Sequence, residues 1–178
     1  MADMKTRLLD AAYTILSKEG PAALTTRRVC EAVGVTMPTL YHHFRSRDEL
    51  VRAVYTLAMQ KFMSKKRELA LTEDPLIDLR ASCEQVLDFV ARQKNVSIAL
   101  MGLGLEEPAI FRPGFELLQE RVARASSAKA LHVSDREATA MLWSVVQGLA
   151  VAIVASPEAA GASAAVRARV LDAIFGAI

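Results

Sequence analysis

The 178 residues carry 22 Lys and Arg against 20 Asp and Glu, a net charge of +2, so bulk charge argues neither for nor against nucleic acid. A hydrophobic content of 52% is ample for a buried core, and the 6% aromatic content with only 8 Gly and 6 Pro favours an all-helical protein of one or two compact units. Cys30 and Cys83 lie far apart on apolar helical stripes, with no CxxC or histidine partner at metal spacing. They read as reduced core residues of a cytoplasmic protein. The stretch MADMKTRLLDAA has no signal-peptide apolar core and is already amphipathic.

The first helix is predicted from about Asp3 to Lys18, with Leu8, Leu9, Ala12, Ile15 and Leu16 inward, ended by Gly20-Pro21. Thr25 or Thr26 caps a second helix whose apolar stripe is Val29, Cys30 and Val33. Gly34 closes it, because glycine enters the left-handed conformation without steric cost. Thr36 caps a third helix, with Pro38 in the first turn, where the missing N–H loses no helical bond. Leu40 and Phe44 point inward from it, leaving Thr39, Tyr41, His42 and His43 for another surface. Ser46 and Glu49 form a capping box for a fourth helix, running from Arg47 to near Leu69 and becoming basic at Lys61, Lys65, Lys66 and Arg67.

The stretch Thr72-Glu73-Asp74-Pro75 is the first clear break. Helix five follows on Leu76, Leu79, Cys83, Val86 and Val90, then a short apolar helix from about Asn95 to Leu103. Glu106 to Gly114 reads as irregular. Helix seven carries Phe115, Leu118, Val122 and Ala125, and Ser134 with Glu137 boxes the start of helix eight. Pro157 to Ser163 is a small-residue loop, and the last helix places Val166, Val170, Ile174 and Ile178 on one face. Ala138 to Pro157 has no charge and approaches the length of a bilayer span. Its helical stripe, polar interruptions and missing aromatic or basic flanks favour a helix buried on two sides, by its own domain and by a partner subunit.

A short helix, a glycine turn and a second short helix with a polar outward face make a helix-turn-helix. RLLDAAYTILSKEG, the Thr before helix two, GVTMPTLYHHF and SRDEL, in this order and spacing, resemble the DNA-binding domain of the tetracycline-repressor (TetR) family. Pro38 stands where that family often has glycine, Arg47 where lysine is frequent, and Cys30 where alanine is common. The resemblance implies an all-α, nine-helix fold: a helix-turn-helix DNA-binding domain over residues 3–63 and an effector-binding and dimerisation domain over 64–178. It further implies a ligand-responsive regulator, most readily a repressor, acting as a homodimer on a pseudopalindromic operator.

Arg27, Arg28, Arg45 and Arg47 against Glu31 alone make a basic patch around the motif. Thr36, Met37, Pro38 and Thr39, at the start of the reading helix, face base edges, with Met37 and Pro38 suited to thymine methyls. The resemblance places Tyr41 and His42 on the backbone or base edges. Thr25, Thr26 and Arg47 sit at helix N-termini that suit phosphate, and Arg28 suits a base or a phosphate. The resemblance also implies an effector pocket, for which Phe62, Phe89, Met101, Phe111, Phe115, Trp143 and Gln147 are the candidates, most of them equally fit for plain core packing. So apolar a set suits an apolar or aromatic small molecule. The implied dimer is a four-helix bundle of the last two helices, using Leu142, Val145, Val146, Leu149, Ile153, Val166, Val170 and Ile174. No nucleophile–base pair, phosphate-cradling loop or metal spacing stands out, which argues against an enzyme; no cofactor or metal is expected. The remaining alternative is a helix-turn-helix used only for protein association, without a specific operator.

Overall fold

The computed structural model describes residues 3–155 and 164–178; Pro157 to Ser163 lie outside the described residues. Nine α-helices are described: α1 (Met4–Glu19), α2 (Thr26–Val33), α3 (Met37–His43), α4 (Arg47–Arg67), α5 (Pro75–Arg92), α6 (Lys94–Glu106), α7 (Arg112–Ser127), α8 (Asp135–Ala155) and α9 (Ala164–Ala177). There is no strand among the described residues. Short 3₁₀ turns at Pro21–Ala23 and Pro108–Phe111 complete the set, the second giving regular form to part of the stretch expected to be irregular.

The chain forms two compact units. The first comprises residues up to Phe62 together with Gln93–Ile110. Its core gathers Leu8, Ala12 and Leu16 of α1, Val29 of α2, Leu40 of α3, and Leu50 and Val54 of α4, all essentially inaccessible. The sequence reading assigned 93–110 to the C-terminal domain; the structure packs α6 against α1 instead. The Asn95 amide donates to the Ser17 carbonyl at 3.1 Å, and Val96, Ala99, Leu100 and Leu103 bury the inner face of α6. Gly20 makes this approach possible. Its φ of 92° is costly for other residues, and a Cβ there would stand 3.3 Å from Asn95 Oδ1.

The second unit comprises Met63–Arg92 and the described residues from Phe111 to Ile178. Here α5, α7 and α8 pack on one another, and α9 packs on α8. The core is built by Leu79, Cys83 and Leu87 of α5, Leu118 and Val122 of α7, and Leu142, Ala150 and Ile153 of α8. Asp78 lies inside this unit, held by the Thr72 amide at 2.9 Å, the Thr72 hydroxyl at 2.8 Å and the Arg124 guanidinium. Burial alone would push its carboxyl up; the Thr72 and Arg124 donors outweigh it and hold the group below the ordinary carboxylate value. α9 is tied to α5 by Arg80 and Asp172 at 2.7 Å, and the Ile178 carbonyl accepts from the His132 amide.

The 21-residue α8 is, by length and composition alone, apolar enough to cross a membrane, with a mean hydropathy of 1.9. Within its unit it buries one face. That face corrects the dimer assignment: Leu142, Val146, Leu149 and Ile153 are buried in their own subunit and have no surface left for a partner. The apolar period is the same whichever body covers it. Val145 on α8 and Val166, Val170 and Ile174 on α9 are half-buried. The side of α8 left exposed carries Ala140, Ser144, Gly148, Val151 and Ala155.

Candidate nucleic-acid interface

The interface is built by α2, α3 and the start of α4. Thr25, rather than Thr26, is the cap of α2, and its hydroxyl accepts from the Arg28 amide at 3.3 Å. Gly34 ends the helix at φ 76° and ψ 39°, with its amide returned to the Cys30 carbonyl and the Val35 amide to the same oxygen. A left-handed residue here reverses the chain within three residues, so α3 starts immediately on the far side of the turn. Pro38 then occupies the first turn of α3, where φ is already set for a helix.

α3 hangs on Leu40 and Phe44, which are fully buried. Around them the helix shows its outer face: Thr36, Pro38, Tyr41 and His42 are exposed, Tyr41 at 42%. Thr36 holds the cap position without making the side-chain cap bond expected of it; its hydroxyl pairs with that of Thr39 at 3.0 Å. The two hydroxyls therefore form a small polar pair at the tip of the helix. Met37 is half-buried, its thioether 3.6 Å from the Cys30 sulfur, so it packs α3 onto α2 as well as bordering the outer face. The rings of His42 and His43 meet edge to face at 5.2 Å.

The arginines differ in how free they are. Arg28 sets both ends of its fork on the Glu19 carboxylate, at 2.6 and 2.9 Å, tying α2 to the end of α1. It reaches DNA only by leaving Glu19. Arg27 is held on its own helix by Glu31 at 2.8 Å and stays largely in water. Arg47 meets Asp48 only at 3.8 Å. The start of α4 is less open to phosphate than expected. Ser46 already takes the Glu49 amide at 3.1 Å, and Glu49 takes the Arg45 amide at 2.9 Å. A carboxylate thus occupies part of the helix N-terminus that an anion would use. Arg47 can still meet a phosphate through its own guanidinium.

The residues expected to line an effector pocket are not brought together as one set. Phe62 and Met101 belong to the first unit, the others to the second. Within the second, Trp143 meets Phe115 edge to face at 5.2 Å and Phe111 at 6.4 Å. Phe115 and Trp143 line an open cavity of about 700 Å³ between α7 and α8, with Gln119, Asp135, Arg136, Thr139 and Ser144; Phe111 does not line it. Phe89 and Gln147 are half-buried and do not line it. Among the described residues no cluster of three His, Cys, Asp or Glu side chains could hold a metal ion.

Residues 8–54 match the family described as bacterial regulatory proteins, tetR family, and the match covers α1, the helix-turn-helix and the start of α4. That segment is the DNA-binding domain of the tetR family. It is 31% identical over 83 residues to the HTH-type transcriptional repressor KstR2 of Rhodococcus jostii, covering 47% of this chain and 39% of the relative. Over 64 residues it is 31% identical to the HTH-type transcriptional regulator UidR of Escherichia coli, covering 36% of this chain and 33% of that one. These alignments span well under two thirds of the relatives' own length. The whole fold is shared more widely than the sequence. The transcriptional regulator FadR of Bacillus subtilis, solved in complex with stearoyl-CoA, superposes with a TM-score of 0.73 at 14% identity over 97% of this chain and 98% of that one. The relatives and the structural neighbour named here are described as transcriptional regulators.

Proposed function

We propose that this protein is a tetR-family, ligand-responsive transcriptional repressor that binds a pseudopalindromic operator as a homodimer in the cytoplasm. The observation that carries the reading is the outer face of α3. Tyr41, Thr36, Pro38 and His42 stand exposed on a helix whose position is fixed by Leu40 and Phe44, with cationic side chains at its flanks. A rigid helix offering an aromatic ring, hydroxyls and an imidazole suits the major groove, and flanking Arg27 and Arg47 suit the phosphates on either side. Two such heads must stand about one helical turn apart, ~34 Å, to read both half-sites.

Dimerisation through α8 and α9 is supported by what they leave exposed. Val151, with Ala140, Ser144, Gly148 and Ala155, forms a row of small and apolar side chains over which a second helix can approach closely. An effector that binds better to one conformation of the C-terminal unit shifts the population, and operator affinity changes by the ratio of its affinities for the two states.

Fluorescence anisotropy with DNA from the gene's own upstream region, against scrambled DNA at about 150 mM salt, tests this reading. Selective binding at two chains per site is the expected result. Equal and weak binding to every duplex would favour the alternative, a helix-turn-helix used for protein association alone.

A further inference from the structure

The interior of the second unit holds a positive charge with no counter-charge paired to it among the described residues. Arg121 lies on the inner side of α7, in register with Leu117, Leu118, Val122 and Ala125, and is 7% exposed. Its Nε and Nη1 are fully buried and make no hydrogen bond, and among the described residues no carboxylate pairs with it. A guanidinium cannot escape this position by losing its proton. Buried charges are otherwise paired, as Asp78 with Arg124 shows in the same unit.

Arg121 is not alone. Lys66 of α4 is also buried, its ammonium 3.4 Å from the Ser82 carbonyl of α5. Burial draws its pKa down to about 8, against an opposing pull from Cys83 that is larger than the lowering by the like charge of Arg121. One turn apart on α5, the Ser82 hydroxyl and the Gln85 carbonyl oxygen are buried without partners, the Gln85 amide being spent on the Lys65 carbonyl. Two cations, an idle hydroxyl and an idle acceptor thus lie buried in one unit whose interior is otherwise mostly apolar. Orphaned guanidinium donors are matched by an anion such as a carboxylate, whose oxygens can accept from them.

We infer that the C-terminal unit takes an organic acid, its carboxylate seated on the Arg121 fork with Ser82 donating beside it and its apolar body among the core side chains. This rests on the ligand-responsive reading above and gives that ligand a chemical class. It adds an acidic group to the apolar or aromatic effector expected from the sequence, because the polar end of the site comes from an arginine hidden inside an apolar stripe.

The test uses 4-phenylbutyrate and decanoate, with 4-phenylbutanol and 1-decanol as their uncharged counterparts, on the whole protein. At least one acid should raise the wild-type melting midpoint by about 5 °C at saturating concentration, while its alcohol does not. In Arg121→Met the same acid should bind about tenfold or more weakly by calorimetry. Arg121→Lys keeps the charge but loses the fork, so it too should bind more weakly, and it serves if the Met variant fails to fold. Equal shifts from acid and alcohol, no shift from either acid, or undiminished binding by a folded Arg121 variant would overturn the inference. Operator affinity is read separately. An acid that binds through Arg121 yet leaves DNA binding unchanged upholds the site and sinks the ligand-response reading instead.

Discussion

The two units handle charge in opposite ways. In the N-terminal unit the ion pairs that link one helix to another, Arg28 with Glu19, Lys61 with Asp10 and Arg52 with Glu107, all lie at the surface. In the C-terminal unit charge goes inside, as the Asp78–Arg124 pair, the Lys66 ammonium and the Arg121 guanidinium. Exposed pairs add little to stability and can be exchanged for other partners at small cost. Buried charges are costly unless met, so the conformation around them responds to whatever meets them. A head that must present one fixed surface is thus joined to a body whose interior has an unmet electrostatic demand.

The largest test of this contrast is Lys66. Its pKa is depressed in the folded chain, so the burden of its charge is fully present below about pH 8 and is relieved as pH rises toward 10.5. Across that window the unfolded chain holds more protons on this lysine, so its own contribution to stability should climb by on the order of 3 kcal/mol, offset in part above pH 9 by the Cys83 thiol, which burial holds up to about 11. Lys66→Met should remove the climb and stabilise the protein at neutral pH, measured as urea midpoints from pH 7 to 10. A wild-type profile no different from that of Lys66→Met would mean that burial does not depress this lysine's pKa. Next in size is Tyr41→Ala, which should weaken operator binding by about 2 kcal/mol, roughly thirtyfold, with the melting midpoint unchanged. A drop in melting midpoint would show that the ring supports the fold rather than the surface.

A smaller pair of effects compares the same backbone conformation in the two units. Gly34 at φ 76° and Lys129 at φ 55° both end helices in the left-handed region. Gly34→Ala meets no neighbouring atom, so its cost is conformational, about 1 kcal/mol; Lys129→Gly should gain somewhat less. Thermal melts of both variants decide it, and a neutral Gly34→Ala would discount the turn geometry. Smallest, and uniform over all DNA sequences, is Arg47→Ala, which should flatten the dependence of log affinity on log salt by about one. Arg28→Ala should change that slope less, because its fork is already engaged by Glu19.

The helices were legible in the sequence because their signals are local. Gly34, Pro38 and the boxes Ser46/Glu49 and Ser134/Glu137 act within one turn of chain, and the structure places each where its chemistry demands. What was not legible depends on which distant surface covers a face. The period of α6 does not say that α1 receives it, and the stripe Leu142, Val146, Leu149 and Ile153 reads alike whether its own unit or a second chain buries it. The fork of Arg28 looked free because its partner, Glu19, sits in another helix. Arg121 could have been found: a charged residue at an apolar position of a helical stripe is a local signal, hidden here among the leucines of α7.

Leu40 and Phe44, with Met37 beside them, anchor α3, and Thr36, Tyr41 and His42 stand exposed around them. The address this protein reads is therefore separable from its architecture. A library randomised at these outward positions should yield mostly well-folded members differing in the sequences they recognise. The same separation lets a lineage drift to new promoters without first surviving a loss of stability.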